Sequence, residues 1–306
     1  MVTLTQVVFP AMGNTANLTV IGDDEHVDYA RRRLLELEHR WSRFIAASDI
    51  SRLNRADGRP TPVHSDTLIL IRYLVDAQRV SNGVFDPTLA PALNESGYTT
   101  SRVDSADHCV LSKGARSRVD LSTTTIDERF GAVTLPFGAT LDPGGLGKGL
   151  ATDIVAGELM DRGAIGVCLS VGGDIRCMGS GPIDGYWTID VANPNDTSTT
   201  IDSVRLGHGA IATSSVKAKR WRDGEVERHH IFDPTTRASI VIAKDTIVQS
   251  TVIAAEAVWA EVFATMSLVG QRSTFSENLA CLVIRNNGSV QKNDQWTNFT
   301  NEFANE

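Results

Sequence analysis

Glu261 and Thr265 stand four residues apart in the apolar run "VIAAEAVWAEVFATMSLVG", so a helix there puts both on one face. A carboxylate and a hydroxyl at that spacing offer two oxygen ligands to a hard cation such as Mg²⁺. The bland alternative is a surface Glu beside a back-bonded Thr, but a carboxylate on a mostly apolar helix needs a partner. His229 and His230 are neighbours, and in a strand they point to opposite faces, so only one can enter a site. His230, followed by "IFDP", is the candidate general base. The stretch "LDPGGLGKGL", Leu141 to Leu150, holds four glycines, Lys148 and Asp142 in ten residues. It is not a P-loop, because Asp142 and Gly149 stand where that motif needs a glycine and a hydroxyl. It also lacks the dinucleotide fingerprint. A glycine-rich turn entering a helix still offers free N–H groups and a positive dipole end to an anion. The competing reading is a tight turn with a solvated lysine, and the residues alone leave both open.

Further glycine clusters occur in "AMGNT" and "VGGDIRCMG", which suggests backbone closing around a ligand. Asp86, Asp142, Asp174 and Asp233 each sit beside a turn, where a carboxylate is more often a capping residue than a catalyst. The chain of 306 residues is 42% hydrophobic and 22% charged, the balance of a globular enzyme. Its formal net charge of -8 and pI near 5.4 argue against a nucleic-acid surface. An anionic ligand would then need a local donor cluster or a metal cation. Cys109, Cys168, Cys177 and Cys281 are widely spaced and read as buried thiols in a reducing compartment. The amino-terminal stretch has no basic start and no long apolar core, and no run approaches membrane-spanning length. The expectation is therefore a cytoplasmic protein with no membrane span.

The elements that must position these residues follow from periodicity. "TQVVFPAMGNTANLTVIG" alternates on both sides of Gly13-Asn14, as two strands about a turn. Val27, Ala30, Leu34, Leu37, Trp41 and Phe44 recur at three- and four-residue steps, which predicts an amphipathic helix. A second helix runs from a cap at Ser65 or Asp66 to Asn82-Gly83, and a third begins near Leu150. Short strands and turns fill 101–140. Several strands follow the third helix, then the long helix carrying Glu261 and a last strand, "LACLVIRN". The class is α+β, mixed sheets packed with helices in a single compact unit over 1–290, with a polar, partly frayed tail at 291–306.

Taken in order, these segments resemble the ApbE family, the FAD:protein FMN transferases, over nearly the whole chain. "AMGNTANLTV" is similar to that family's opening Met-Gly-Thr strand, and "WSRFIAASDISRLN" to its helix-end stretch. "GVFDPTLAPAL", "LDPGGLGKGLATD" and "LSVGGDIRCMG" resemble three further signatures. "IATSS", "HHIFDPTT" and "AEVFATMSLVG" resemble the last three. There are departures. Glu261 stands where the family has a metal-binding Asp, Asn14 replaces Thr, Pro143 replaces a hydrophobic residue, and Ser215 and Arg237 replace glycines.

The resemblance implies an ApbE-like, T-fold-like architecture and a reaction. FAD's pyrophosphate is cut and FMN passes to a Ser or Thr hydroxyl of a partner flavoprotein, releasing AMP. It implies Mg²⁺, or Mn²⁺, on Glu261, Thr265 and a backbone carbonyl near Gly145. It makes His230 the base for the acceptor hydroxyl. It places FAD against Met12, Gly13, Phe44, Phe85, Asp86, Pro87, Asp142, Lys148, Thr213, His230 and Ile231. Two other activities stay open. Water as acceptor would make an FAD pyrophosphatase yielding FMN and AMP, and a metal site spoiled by Glu261 would leave a non-catalytic FAD-binding protein.

Overall fold

A computed structural model of the chain describes residues 3–101, 106–274, 276 and 278–300. Contacts gather the chain into two units. One comprises Met1–Leu34, Lys148–Ala218 and Val241–Glu306, the other Leu35–Gly147 and Lys219–Ile240. Helices packed with antiparallel sheets give the expected α+β class.

The first unit is built on an eight-stranded sheet. Its order is Thr3–Ala11, Asn14–Gly22, Gly166–Val171, Asp174–Gly179, Gly209–Ser215, Ile247–Ala254, Ala280–Arg285, Val290–Lys292. Every neighbouring pair is antiparallel. Two of its hairpins close through two-residue turns, Met12-Gly13 and Gly172-Gly173, so the first turn lies one residue earlier than the sequence pattern suggests. All four turn residues have positive φ (52°, 66°, 61° and 97°), as right-twisted strands require of so short a connection. A side chain on Gly172 would meet the Asn14 side chain at 2.9 Å, so the two turns abut only because glycine is there.

The helix Ala257–Val269 lies on the strands Gly209–Ser215 and Ile247–Ala254. The antiparallel ribbon Trp187–Asn193 with Asp196–Leu206 packs Trp187, Ile189, Val204 and Leu206 against Ile211, Ile253 and Leu282. Strand Ile247–Ala254 is therefore buried at seven of its eight positions. This corrects one sequence expectation. Val252–Ala254, read as the start of the last helix, ends that strand, and the helix begins at Ala257. The apolar end of the strand, Val252–Ala254, leads into the apolar start of the helix with no alternation to separate the two. The carboxy-terminal stretch also differs from a frayed tail. Val290–Lys292 is the edge strand, and Trp296 in the turn Asp294–Phe299 is wholly buried. Its indole Nε1 donates to Asp202 Oδ2 at 2.6 Å, and Lys292 pairs with the same oxygen at 2.8 Å. Residues 301–306 lie outside the described residues.

The second unit holds the helices Asp49–Asn54, Ser65–Val80 and Ala90–Glu95, and a small sheet of Thr61–Pro62, Ala132–Thr134 and Thr125–Asp127. The cap of Ser65–Val80 is His64, whose Nδ1 accepts from Asp66 N at 3.2 Å, rather than Ser65 or Asp66. Two short hairpins complete the unit, Arg220–Asp223 with Val226–His229 and Phe232–Asp233 with Ala238–Ser239. Ser239 Oγ donates to His229 O at 2.7 Å and ties one hairpin to the other. Arg237, where the family has glycine, keeps a φ of 56° and donates its N–H to Asp233 O at 2.8 Å.

Candidate active site

In the first unit the helix that begins at Gly147 brings Lys148 into its first turn. The Lys148 ammonium lies 2.8 Å from Asp174 Oδ2 and bonds to Glu261 Oε1. Glu261 Oε2 accepts from Gly149 N at 2.8 Å. Asp174 and Glu261 are buried, at 1% and 2% exposure. Lys148 is thus the counter-ion of two buried carboxylates, not a solvated lysine, and one of the loop N–H groups is spent on Glu261. The glycines have packing reasons as well. A Cβ on Gly149 would meet Ala257 O at 2.5 Å, so the loop helix docks against the start of the last helix only without one. Burial and the Glu261 carboxylate push the Asp174 carboxyl upward against the pull of Lys148, while its two anionic partners hold the Lys148 proton on despite burial.

Thr265 stands one turn after Glu261, and its hydroxyl is 3.0 Å from Ser214 Oγ. Ser214 and Thr213 alternate along one strand and so point to opposite faces. Thr213 instead meets Thr251 Oγ1 across the sheet at 2.9 Å. The face beneath the metal candidates therefore carries Ser214, which sequence reading overlooked. Met12 and Gly13 form their hairpin turn in this unit, and Asn14 Nδ2 donates to Met12 O at 2.9 Å.

The last helix has no cap of its own, since Glu256 makes no side-chain bond there. Asp153 supplies both acceptors instead, taking Ala257 N and Val258 N at 2.9 Å each, with Arg176 at 3.5 Å. Burial, aided by nearby Glu256, outweighs these bonds and the Arg176 charge, and lifts the Asp153 carboxyl from 3.8 to about 6. A carboxyl raised on folding binds its proton more tightly in the native state, so its stabilising contribution is full below pH 3.8 and lost as pH rises through about 6. Denaturation of wild type and Asp153→Asn should diverge across that window, wild type losing about 2 kcal/mol more between pH 4 and pH 7. Parallel pH profiles would remove this role.

In the second unit Asp142 caps the Pro143–Gly145 turn through Gly144 N at 2.8 Å, and its Oδ2 pairs with Arg43 Nε at 3.0 Å. Arg43, 3% exposed, is the hub that sequence reading missed. It donates to Asn94 Oδ1 at 2.9 Å and Tyr98 O at 3.0 Å, and lies over the rings of Phe44 at 4.2 Å and Tyr98 at 4.8 Å. Phe44 meets Tyr98 edge-on, and Tyr98 stacks on Trp221 at 5.1 Å. Phe85 is buried, and its ring would sit 2.8 Å from a Cβ on Gly145. Asp86 Oδ1 accepts from Thr88 N at 2.8 Å, Thr88 Oγ1 at 2.7 Å and Gln78 Nε2 at 3.2 Å, so that oxygen braces its own loop. Pro87 O accepts from Asp142 N at 2.8 Å.

The two histidines differ in setting, and the strand ends at His229, so strand parity does not extend to His230. His229 is 4% exposed, with Nε2 2.9 Å from Ile240 O and Nδ1 accepting from Ile231 N at 3.3 Å, and desolvation lowers its pKa. Ile231 is buried beside it. His230 is half-buried, with Nδ1 3.3 Å from Lys219 O. Asp233 accepts from Thr235 N and Oγ1, a turn residue as its setting suggested.

The eight-stranded sheet with its covering helix is the fold of solved flavin transferases. The ApbE protein of Thermotoga maritima superimposes with a TM-score of 0.84 at 22% identity, covering 98% of this chain and 100% of that one. The flavin transferase ApbE of Vibrio cholerae gives 0.73, also at 22% identity and with the same coverage. The ApbE family model matches residues 12–280, and the chain belongs to that family. Curated relatives are enzymes of the transferase class. The FAD:protein FMN transferase of Vibrio cholerae is 26% identical over 269 residues, 85% of this chain and 79% of the relative. That of Klebsiella pneumoniae is 24% identical over 268 residues, 83% and 79%.

Proposed function

We propose that this chain is an FAD:protein FMN transferase that cleaves FAD, passes FMN to a Ser or Thr hydroxyl of a flavoprotein and releases AMP. The observation that carries the reading is the buried Lys148, Asp174 and Glu261 cluster beside Thr265, on the helix and loops through which the chain matches its family. Glu261, Thr265 and Ser214 present hard oxygens beside the buried carboxyl of Asp174, a donor set that suits Mg²⁺ or Mn²⁺. Glu261 and Thr265 would hold the ion. When bound, the cation neutralises developing charge on the pyrophosphate.

The residues of this chain supply the rest. Lys148 and the Gly149 N–H orient Glu261 in a buried setting. His230 takes the proton of the acceptor hydroxyl, while His229 holds the strand end. Phe44, with Tyr98 behind it, offers an aromatic edge to the flavin, and Met12, Gly13, Phe85, Asp86, Pro87, Asp142, Thr213 and Ile231 shape the FAD-binding surfaces. The four free cysteines accord with a reducing compartment, and we place the protein in the cytoplasm. Incubation with FAD, Mg²⁺ and a candidate flavoprotein, read by intact mass, should show the acceptor gaining FMN. Free FMN and AMP alone would mean a pyrophosphatase, and unchanged FAD a binding protein.

Glu261→Gln keeps shape and removes charge. Calorimetric titration of Mg²⁺ into wild type and the variant, with and without FAD, should show mutual tightening of the two ligands in wild type only. Identical isotherms would place the metal elsewhere.

A further inference from the structure

Cys168 and Cys177 face each other across the hairpin Gly166–Val171 with Asp174–Gly179. The parity of that hairpin can be counted from its ends. Ser180 N donates to Ile165 O at 3.0 Å, and alternation from that bond makes Val167 with Met178 the next hydrogen-bonded pair. The two-residue turn gives the same count from the other end, through Val171 with Asp174 and Leu169 with Arg176. Cys168 and Cys177 therefore occupy a non-hydrogen-bonded position, where opposed side chains approach most closely. Their sulfurs lie 3.7 Å apart, with the Cys177 thiol donating to Cys168. Cys177 is wholly buried, whereas Cys168 is partly exposed. Among the described residues Cys109 lies in the other unit, and Cys281 has Ser250 Oγ at 3.8 Å as its neighbour.

We propose that Cys168 and Cys177 form a reversible oxidation site, closing a cross-strand disulfide by exchange with a low-molecular-weight disulfide. Cys168, the less buried residue of the pair, attacks one sulfur of the external disulfide, and the departing thiolate takes up the proton lost by Cys168. Cys177 then attacks the Cys168 sulfur of the mixed disulfide and expels the second small thiol, which takes up the Cys177 proton. One external disulfide is reduced to two thiols while the pair is oxidised, so atoms and electrons balance. The hydrogen bond to Cys168, together with burial, keeps the Cys177 proton in place, which assigns the first step to Cys168. The closed bond joins the two strands that lead to the Gly172-Gly173 turn and so restrains the strand that begins with Asp174.

The test treats the whole protein with oxidised glutathione, then alkylates and maps it. The expected result is loss of two of the four free thiols counted after unfolding, a linked peptide pair containing Cys168 and Cys177, and full return of both thiols with dithiothreitol. Amide exchange across Gly166–Gly179 should slow in the oxidised protein and recover on reduction. The Cys109→Ser/Cys281→Ser double variant, which keeps the pair, should oxidise as wild type does, and Cys168→Ser should not. A stable glutathione adduct on Cys168 without ring closure, a link through Cys109 or Cys281, or four unreacted thiols would overturn the proposal. Unchanged exchange in a fully linked protein would overturn the restraint of the strand.

Discussion

Replacing His230 by alanine should slow FMN transfer by about a hundred- to ten-thousand-fold, the usual cost of losing a general base, while leaving FAD affinity almost unchanged. The expectation rests on position. His230 follows the strand Val226–His229 by one residue and is half-buried, with Nδ1 3.3 Å from Lys219 O, whereas His229 is buried. His229 is the control. With both ring nitrogens bonded within the unit, His229→Ala should lower the unfolding midpoint and affect transfer only through loss of folded protein. Single-turnover transfer measured with FAD titrations on each variant separates the two roles, and added imidazole should restore part of the His230→Ala rate. Wild-type turnover in His230→Ala, or a collapse of its stability, would assign His230 to structure.

Lys148→Met should destabilise the protein by about 3 to 5 kcal/mol, the range found when one partner of a buried ion pair is removed. Methionine fills a similar volume but leaves Asp174 and Glu261 as two buried carboxylates with no ammonium between them. Urea unfolding of Lys148→Met and of the double variant Lys148→Met/Glu261→Gln measures this. The second substitution should recover part of the loss, because a neutral amide no longer needs the lysine. If Lys148 were merely a solvated loop residue, its replacement would shift stability by no more than about 0.5 kcal/mol. That outcome would undo the account of the cluster.

Sequence periodicity carried the local geometry of the site but not its tertiary company. The four-residue step from Glu261 to Thr265 is a property of a single helix, and the spacing alone states it. Lys148 and Asp174 meet Glu261 only after the sheet is assembled, from positions 113 and 87 residues away in the chain. No pattern within one segment marks such a pairing, so Lys148 read equally well as a phosphate cation. Arg43, Tyr98 and Trp221 escaped notice for the same reason, each being unremarkable in its own stretch. Ser214 and Thr213 are alike in chemistry and adjacent in sequence, and only the parity of the assembled strand decides which of the two lies under the last helix. The helix start at Ala257 depended on Asp153 as a borrowed cap, a contact across 104 residues.

The buried indole of Trp296 bears on where this chain can be cut. The family model stops at residue 280, yet the strand Ala280–Arg285, the edge strand after it and the Trp296 anchor all lie at or beyond that point. A fragment trimmed to the matched region would strip the Ile247–Ala254 strand of its neighbour and leave Leu282's and Trp296's places in the core open to water. The boundary of recognisable ancestry and the boundary of autonomous folding are different here. Expression work, domain swaps and fusions should keep the polypeptide through at least Phe299, and any affinity label belongs after it.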